Sequence, residues 1–254
     1  MRLGSVNYET RGKVALLTLD EPHKLNALSP GIRQGILEGL GKADADDAIR
    51  VVVITGNGDK AFCAGADISN FELEADKGRK FLAMALDVLA APERCSKPVI
   101  SAVNGLAYGG GFELAIASDF IVASERAQFA VPEIKLGLLP GFAIVRLADM
   151  VGRAKAKELS ILGDPISADE AARLGLVLRV VPHDRLMADV MEFADRIASK
   201  PKLAVRMAKS FYNRGLGGDE MRHALDGFPL LFMHGDAREG ISAFLEKRKA
   251  RFED

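Results

Sequence analysis

The sequence predicts an α/β fold, with a sheet-containing first part followed by a mostly helical C-terminal part. Short β-branched runs alternate with helical patterns up to about residue 140, which is typical of layered α/β domains. Beyond Pro140, helical patterns dominate and strand patterns nearly vanish. With 254 residues, 48% of them hydrophobic, the chain is long enough to bury a substantial core. No linker rich in Pro, Gly or Ser separates independent domains.

Apolar runs of strand length recur along the chain and are bounded by turn residues. The clearest are residues 14–19 and residues 50–55, because both are aliphatic and the second ends at Gly56-Asn57-Gly58. The segment at 98–104 begins with a proline and is followed by Gly105, which turns the chain out of the strand. The predicted strands comprise residues 14–19, 50–55, 98–104, 120–123, 127–131 and 177–181, the last of which stands alone among helices.

Helices are predicted from capping residues and from apolar positions that recur every three or four residues. Ser29 is the expected N-cap of the first helix, and Pro30 is its first residue. Ser167 and Glu170 form a capping box ahead of a short helix that Gly175 closes. The apolar stripe of the first helix is Ile32, Ile36, Leu37 and Leu40. Further helices are predicted at residues 81–90, 112–118, 186–199, 201–214 and 219–249, the last broken near 227–229.

The charge balance and the cysteine count exclude several classes of protein. Lys and Arg number 34 and Asp and Glu 35, so a net charge of −1 gives no field that favours nucleic acid or an anionic membrane. The longest apolar stretch, residues 81–91, contains Asp87 and is shorter than the roughly 20 residues that span a bilayer. Two cysteines form no disulfide framework or metal-ligand cluster, and no targeting segment is evident. We therefore expect a cytoplasmic protein without a metal site.

A glycine pattern at residues 56–61 fits G-x-G-x-x-A, the fingerprint of dinucleotide-binding turns. Such a turn must open a helix, whereas residues 62–66 carry no helical stripe. The pattern is therefore interpreted as a surface turn. Neither a P-loop nor a nucleophile elbow occurs, and the four histidines show no pairing that indicates a triad or a metal site. Cys63 is interpreted as a small apolar filler rather than a nucleophile.

Two glutamates stand out because each follows a segment suited to binding an anion or a ligand. Residues 104–113 place glycines at a helix N-terminus, where free N–H groups favour developing negative charge, and Glu113 lies within that apolar helix. Alone, Glu113 would also suit a helix-capping role. Glu133 follows a strand and a proline. Residues 61–68 form a small-residue loop that either lets the backbone approach a ligand or makes a tight turn.

These residues resemble the enoyl-CoA hydratase/isomerase family, also called the crotonase family, in order along nearly the whole chain. The signatures include A-F-C-A-G-A-D-I from Ala61 and G-G-G-F-E-L-A from Gly109. The segments that resemble family motifs are residues 25–28, 61–68, 97–105, 109–115, 129–137 and 235–254. Six such segments in register make the resemblance specific.

The resemblance implies a crotonase-like spiral of ββα units in residues 1–195 and a helical region for oligomerisation in residues 196–254. That region would build homotrimers, commonly paired into hexamers. The implied enzyme hydrates the 2,3 double bond of a 2-enoyl-CoA to a 3-hydroxyacyl-CoA and would serve fatty acid and lipid metabolism. Its partner is the acyl-CoA thioester, and it needs no cofactor because coenzyme A is part of the substrate.

The resemblance also implies roles for individual residues. Glu113 would activate water and Glu133 would supply a proton, while the N–H groups of Ala66 and Gly110 would form the oxyanion hole. Other residues would line the path of the substrate and coenzyme A. These are Lys24, Leu25, Ala27, Ala64, Asp67, Ile68, Ser69, Gly141, Phe228 and Lys247.

Three alternatives to hydration stay open at this point. An enoyl-CoA isomerase needs only one acid, another enzyme of the same family would place other residues at these positions, and a catalytically silent protein would bind acyl-CoA without turnover. Residues 142–145 (F-A-I-V) depart from the small and polar residues that hydratases tend to carry there. This departure predicts either a reshaped acyl site or a repacked helix start.

Overall fold

Two β-sheets surrounded by helices make up residues 1–67, 75–213 and 235–250, the part of the chain that the computed structural model describes. The strands are β1 (Arg2–Leu3), β2 (Val6–Arg11), β3 (Val14–Leu19), β4 (Val51–Gly56), β5 (Ala61–Cys63), β6 (Val99–Val103), β7 (Leu106–Tyr108), β8 (Phe120–Ser124), β9 (Gln128–Ala130), β10 (Ile166–Ser167) and β11 (Arg179–Val181). The helices are α1 (Pro30–Ala45), α2 (Ala75–Leu89), α3 (Ala91–Arg94), α4 (Gly110–Ile116), α5 (Ala143–Val151), α6 (Arg153–Leu162), α7 (Ala168–Arg173), α8 (Leu186–Ala198), α9 (Lys202–Tyr212) and α10 (Gly235–Leu245).

From β4 to β9, consecutive strands alternate between the two sheets. The larger sheet has the order β1-β2-β3-β4-β6-β8-β11, and the smaller has the order β10-β9-β7-β5. Each pair, β4–β5 and β6–β7, sends one parallel strand to each sheet and is followed by a helix; the pair β8–β9 is followed by a 3-10 turn and α5. This is a spiral of ββα units, so the predicted fold class is confirmed.

The strands of the larger sheet are buried on both faces, which explains their continuous apolar runs. On β3, Ala15, Leu17 and Leu19 belong to the main core. Val14 and Leu16 point the other way and pack in a second cluster with residues of α8. Because successive side chains of a strand alternate between faces, one aliphatic run serves both clusters.

The predicted helix caps are present in the structure. Ser29 Oγ accepts a hydrogen bond from Ile32 N at 3.2 Å, and Ser167 Oγ accepts one from Glu170 N at 3.2 Å. The apolar stripe of α1 is buried except for Leu37, which is 41% exposed and lies outside the core.

The structure departs from the sequence prediction mainly at short strands. β2, β5 and β7 were not predicted, and the segment predicted as a separate strand near 177–181 instead pairs in parallel with β8. β5 and β7 have three residues each. Their local sequence does not specify a strand, and their pairing with each other in the smaller sheet stabilises the strand conformation. The helix predicted at 219–249 is described only as α10; residues 214–234 lie outside the described part.

The described C-terminal segments pack directly on the spiral. Lys209 of α9 is buried and its Nζ binds Asp119 Oδ2 at 2.7 Å. In α10, a Cβ at Gly240 would lie 2.5 Å from the backbone of Leu136, which belongs to the 3-10 turn Pro132–Leu136. Among the described residues, no helix combines the length and the apolar character needed to cross a bilayer.

Candidate active site

Glycines at the start of α4 bring three segments of the chain together. Gly109 precedes the helix with φ of 52°, a conformation that favours glycine, and its N–H donates to Ala130 O at 2.9 Å. A Cβ at Gly109 would lie 2.8 Å from Glu133 Oε1, and one at Gly111 would lie 1.9 Å from Cys63 O. The absence of side chains at these two positions therefore lets β5 and the 3-10 turn approach the helix.

Two backbone N–H groups, those of Ala66 and Gly110, lie close together beside this helix start. An ideal Cβ on Gly110 would be 3.8 Å from Ala66 N, and one on Gly65 would be 3.3 Å from Gly110 N. Ala66 forms an isolated parallel bridge with Leu28, whose N–H donates to Gly65 O at 2.7 Å. Within the described residues, neither N–H group donates to a protein acceptor. Both are therefore available as donors to a bound group.

Two buried asparagines, whose roles the sequence did not indicate, fix the loops around these amides. Asn26 has φ of 54°, and its Nδ2 donates to Asn57 O at 3.0 Å and Ala61 O at 2.9 Å. Asn104 Nδ2 donates to Gly58 O at 2.6 Å. Both asparagines lie inside motifs that resemble the family, which is the signal that could have identified them.

Glu113 lies in α4 and is only 4% exposed. Its Oε1 accepts hydrogen bonds from Phe142 N at 2.6 Å and Ala143 N at 2.8 Å, at the first turn of α5. Burial raises the pKa of Glu113, whereas N–H donors from residues 141–143 act in the opposite direction because they bind the ionised carboxylate. The carboxylate is thus held in a fixed position with donors that favour its charged form.

Glu133 lies in the 3-10 turn and has the opposite hydrogen-bond environment. Its Oε2 is buried and has no hydrogen-bond partner among the described residues. Burial, followed by the nearby charge of Glu113, raises the pKa of Glu133 to about 8. Two carboxyl groups that interact in this way share protons as a pair, and the surroundings of Glu133, which give its Oε2 no donor, favour its protonated form.

The site therefore combines a carboxyl group held by N–H donors, a second carboxyl group whose surroundings favour its protonated form, and two neighbouring backbone N–H groups. A carboxylate can remove a proton from water, and a neutral carboxyl group can supply one. The N–H pair can stabilise negative charge on a carbonyl oxygen. This arrangement suits the addition of water to a double bond conjugated with a carbonyl group.

Five of the residues predicted to line the coenzyme A path lie in two adjacent loops. Lys24 Nζ forms an ion pair with Asp67 Oδ2 at 3.1 Å, and Ala64 N donates to Leu25 O at 3.0 Å. Leu25 has φ of 53°, and Ala27 is buried immediately after Asn26. The structure thus brings these residues together beside the amide of Ala66.

The other predicted lining residues are more scattered. Gly141 is buried next to Leu82 of α2, where a Cβ would lie 2.8 Å from Leu82 Cδ1. Lys247 is exposed after the end of α10, with φ of 54°, and no described contact links it to the glutamates. The remaining predicted residues, Ile68, Ser69 and Phe228, lie outside the described part of the chain.

The unusual segment 142–145 forms the start of α5. Phe142 is 2% exposed and Ala143 is fully buried, while Ile144 is 45% exposed. The ring of Phe142 lies under the guanidinium group of Arg146, 5.8 Å from its Cζ to the ring centroid. These contacts favour the interpretation of a repacked helix start over that of a reshaped acyl site.

A cavity of about 700 Å³ lies apart from the two glutamates. It opens between the C-terminal end of α4 and helices α5, α8 and α9, and its lining includes Asp119, Arg146, Phe193 and Lys209. Neither Glu113 nor Glu133 lines it. The buried acids and the glycine-led helix, rather than the size of a cavity, therefore define the candidate site.

Ser124, His183 and Asp59 form a chain of side-chain contacts beside the ends of β8 and β11. The sequence did not indicate this arrangement. Ser124 Oγ and His183 Nδ1 are 3.0 Å apart, and His183 Nε2 lies 3.6 Å from Asp59 Oδ1. Ser124 is fully buried and its Oγ accepts from Arg126 N at 3.1 Å. Because no substrate can reach this hydroxyl, the contacts are structural rather than those of a nucleophilic triad.

Cys63 is a core residue despite its position in β5 beside the site. It is fully buried, and burial raises the pKa of its thiol to about 12. A thiol with such a pKa is neutral at physiological pH, and the thiolate is the reactive form. The sequence-based interpretation of Cys63 as an apolar filler therefore agrees with its environment.

The enoyl-CoA hydratase/isomerase family model matches residues 9–254. The chain is 42% identical to crotonyl-CoA hydratase of Syntrophomonas wolfei subsp. wolfei, over 99% of each protein. It is 40% identical to short-chain-enoyl-CoA hydratase of Clostridium acetobutylicum, over 98% of this chain and 97% of that protein. An enoyl-CoA hydratase from Mycobacterium avium subsp. paratuberculosis K-10 superposes with a TM-score of 0.87 at 30% identity, covering 99% and 100% of the chains.

The match spans the spiral and the C-terminal helices alike, and it includes the segments that carry both glutamates and both converging amides. The chain belongs to the enoyl-CoA hydratase/isomerase family.

Proposed function

We propose that this protein adds water across the 2,3 double bond of a 2-enoyl-CoA to give a 3-hydroxyacyl-CoA. The observation that carries the proposal is the difference between the two buried glutamates. Glu113 accepts hydrogen bonds from backbone N–H groups, whereas Oε2 of Glu133 has no partner among the described residues and the pKa of Glu133 is raised to about 8. One group is thus suited to act as a base and the other as an acid at the same pH.

In the proposed reaction, the thioester oxygen accepts hydrogen bonds from the N–H groups of Ala66 and Gly110. These donors stabilise the negative charge that develops on the oxygen as the conjugated system accepts electrons, which is worth roughly 2.7 to 4 kcal/mol per donor. The loop residues Lys24, Leu25 and Asp67 would then lie along the coenzyme A moiety, where Lys24 supplies a positive charge.

Glu113 removes a proton from a water molecule as the water oxygen forms a bond to C3. The electron pair of the double bond moves toward C2 and the thioester oxygen. Glu133 then transfers its proton to C2, which restores the carbonyl group. One water molecule is consumed and no electron is gained or lost, so the proposed reaction requires no redox partner and no cofactor beyond the coenzyme A of the substrate.

The relatives support hydration, since two of them are named crotonyl-CoA hydratase and short-chain-enoyl-CoA hydratase. Both are about as long as this chain. An enoyl-CoA isomerase is the second candidate, because a single acid can move a proton along an acyl chain. The presence of both a supported carboxylate and a protonated carboxyl group favours hydration, which uses both. A catalytically silent acyl-CoA-binding protein would not need this pair.

A turnover assay on short enoyl-CoAs tests the proposal. We expect crotonyl-CoA to lose its conjugated double bond and yield 3-hydroxybutyryl-CoA, with the same rate after dialysis against EDTA. A matched assay with a 3-enoyl-CoA distinguishes the isomerase. If the protein converts the 3-enoyl-CoA but not crotonyl-CoA, it is an isomerase instead. If it binds both thioesters tightly and converts neither, it is a silent binding protein.

The pH dependence of stability provides an independent test of the raised pKa of Glu133. Its pKa is raised from 4.5 in the reference state to about 8 in the folded protein, so folding favours the protonated form. The corresponding stability is present below the reference pKa and is lost as the pH rises through about 8. We expect Glu133→Gln to remove this loss, so that urea unfolding of the variant varies less between about pH 5 and pH 9. Equal pH dependence in both proteins would contradict the assignment.

We further propose that the protein acts in fatty acid and lipid metabolism in the cytoplasm, as a homotrimer or a hexamer assembled through residues 196–254. Both cysteines are free and buried, which suits a reducing compartment. Analytical ultracentrifugation of the full chain distinguishes these assemblies from a monomer.

A further inference from the structure

Arg146 lies one helical turn beyond the N–H groups that hold Glu113. Its backbone N–H donates to Phe142 O at 3.2 Å, within the first turn of α5. Its side chain is only 10% exposed and forms a two-point contact with Glu93 of α3. The distances are 3.2 Å from Nε to Oε1 and 3.4 Å from Nη2 to Oε2. The contact of Nε is ionic, whereas Nη2 donates the hydrogen bond, so two guanidinium nitrogens face the Glu93 carboxylate.

The guanidinium group also covers the ring of Phe142, at 5.8 Å from the ring centroid. Arg146 therefore touches the same residue whose backbone N–H binds Glu113 Oε1 at 2.6 Å. Since side chains four residues apart lie on one face of a helix, a single side chain can hold the first turn of α5 from the side.

Glu93 is itself anchored to the body of the fold. It lies in α3, and its carbonyl oxygen accepts from Asn213 Nδ2 at 3.1 Å. The preceding carbonyl, Pro92 O, accepts from Lys209 Nζ at 2.7 Å. The charges that face the Glu93 carboxylate are those of Arg146, Asp119 and Lys209. The ion pair thus joins α3, which is held to the core, to the first turn of the helix that supports Glu113.

A buried ion pair contributes little net stability, because its attraction is offset by the loss of hydration of both charges. Apolar residues of similar volume at positions 93 and 146 would fill the same space at comparable stability. What the pair provides instead is a defined orientation for α5. That orientation matters at Phe142 and Ala143, whose N–H groups bind the Glu113 carboxylate within 2.8 Å.

We propose that Arg146, held by Glu93, is a positioning residue that keeps the first turn of α5 aligned so that its N–H groups support Glu113 as the ionised base. This inference rests on the proposed function only in assigning Glu113 the role of the base. Arg146 does not reach the reacting atoms, and its effect passes through the amides of Phe142 and Ala143.

Steady-state kinetics of Arg146→Met with crotonyl-CoA tests the inference. A displacement of catalytic groups by about 1 Å costs on the order of 100-fold in rate, so we expect kcat to fall by about 10- to 100-fold with KM within about twofold of the wild-type value. The N–H donors favour the ionised form of Glu113, and Glu133 is the titratable group that faces it. Arg146→Met weakens these donors, which raises the pKa of Glu113. The acidic limb of the pH profile of kcat is therefore expected to move to higher pH in this variant. Arg146→Lys, which keeps the charge but loses the second nitrogen contact, should recover part of the activity.

Lys97→Met is the matched control, because it removes another buried cation. Lys97 Nζ binds the carbonyl oxygens of Ala43 and Asp46 at the end of α1, away from α5. We expect this variant to lose stability without a shift of the acidic limb. If Arg146→Met does not fold, the double variant Glu93→Leu with Arg146→Met removes both charges and is expected to show the same shift.

An acidic limb in Arg146→Met or in the double variant that matches that of Lys97→Met would overturn the positioning role. This outcome is distinct from failure of the proposed function, which would appear in the wild-type protein as absence of hydration. Failure of the proposed function would also appear as retention of activity in Glu113→Gln.

Discussion

Replacing Glu113 by glutamine is expected to lower kcat for hydration of crotonyl-CoA by about 100- to 10,000-fold, the range typical of a lost general base. A glutamine has nearly the same shape, and its carbonyl oxygen can still accept from Phe142 N and Ala143 N, which bind Glu113 Oε1 at 2.6 and 2.8 Å. The fold and the oxyanion hole should therefore remain, while the ability to take a proton from water is lost.

Glu133→Gln is the partner experiment and is expected to cause a loss of similar size. Its side-chain amide cannot deliver a proton to C2, although it fills the same space. The double variant should lose little more than either single variant, because the two acids act on the same water and substrate as a unit. Steady-state rates of the three variants, with circular dichroism to verify folding, provide the measurement. Loss of less than about tenfold in both single variants would exclude the proposed acid-base pair.

Gly65→Ala is expected to lower kcat/KM by about 100- to 1,000-fold, which is the effect of losing one oxyanion donor. Gly65 has φ of 93°, and an added Cβ would lie 2.7 Å from Tyr108 O and 3.3 Å from Gly110 N. The methyl group would therefore push apart the two segments that carry the N–H groups of Ala66 and Gly110. Backbone atoms on both sides leave no flexible side chain to move away.

Gly12→Ala is the matched control for this experiment. Gly12 also has a positive φ, of 58°, but no atom lies within 4 Å of its ideal Cβ. It should show the backbone strain of the substitution, roughly 1 to 2 kcal/mol, with catalysis unchanged. Thermal unfolding of both variants separates stability from activity. Equal kcat/KM in the two variants at a temperature where both are folded would mean that the converging amides do not act on the substrate.

The sequence was informative about the parts of the fold that local rules determine. The aliphatic run of β3, the N-cap at Ser29 and the capping box at Ser167 each satisfy backbone groups or bury apolar area within a few residues. Glu113 and Glu133 were identifiable because a carboxyl group in an apolar segment is costly to bury without a function.

The sequence was less informative where distant segments determine the structure. β5 and β7 are three residues long and are strands because they pair with each other. Asn26 and Asn104 act through hydrogen bonds to loops more than 30 residues away, such as the bond from Asn26 Nδ2 to Ala61 O, with a separation of 35. The pairing of Arg146 with Glu93 spans 53 residues, so no local pattern predicts it.

Different environments for two chemically identical side chains were also beyond the reach of the sequence. The N–H donors to Glu113 come from the first turn of α5, 29 and 30 residues later in the chain. Glu133 has no corresponding donor for its Oε2 within the described residues. The roles of base and acid therefore follow from the tertiary contacts of each carboxyl group rather than from its neighbours in sequence.

The contact between Gly240 of α10 and Leu136 has a consequence for any shortened form of this protein. Leu136 ends the same 3-10 turn that carries Glu133, and the approach is close enough that a single methyl group at position 240 would meet its backbone at 2.5 Å. Helix α10 thus packs against the turn that positions Glu133. We therefore expect removal of α10 by proteolysis or by a stop codon to displace this turn and lower turnover.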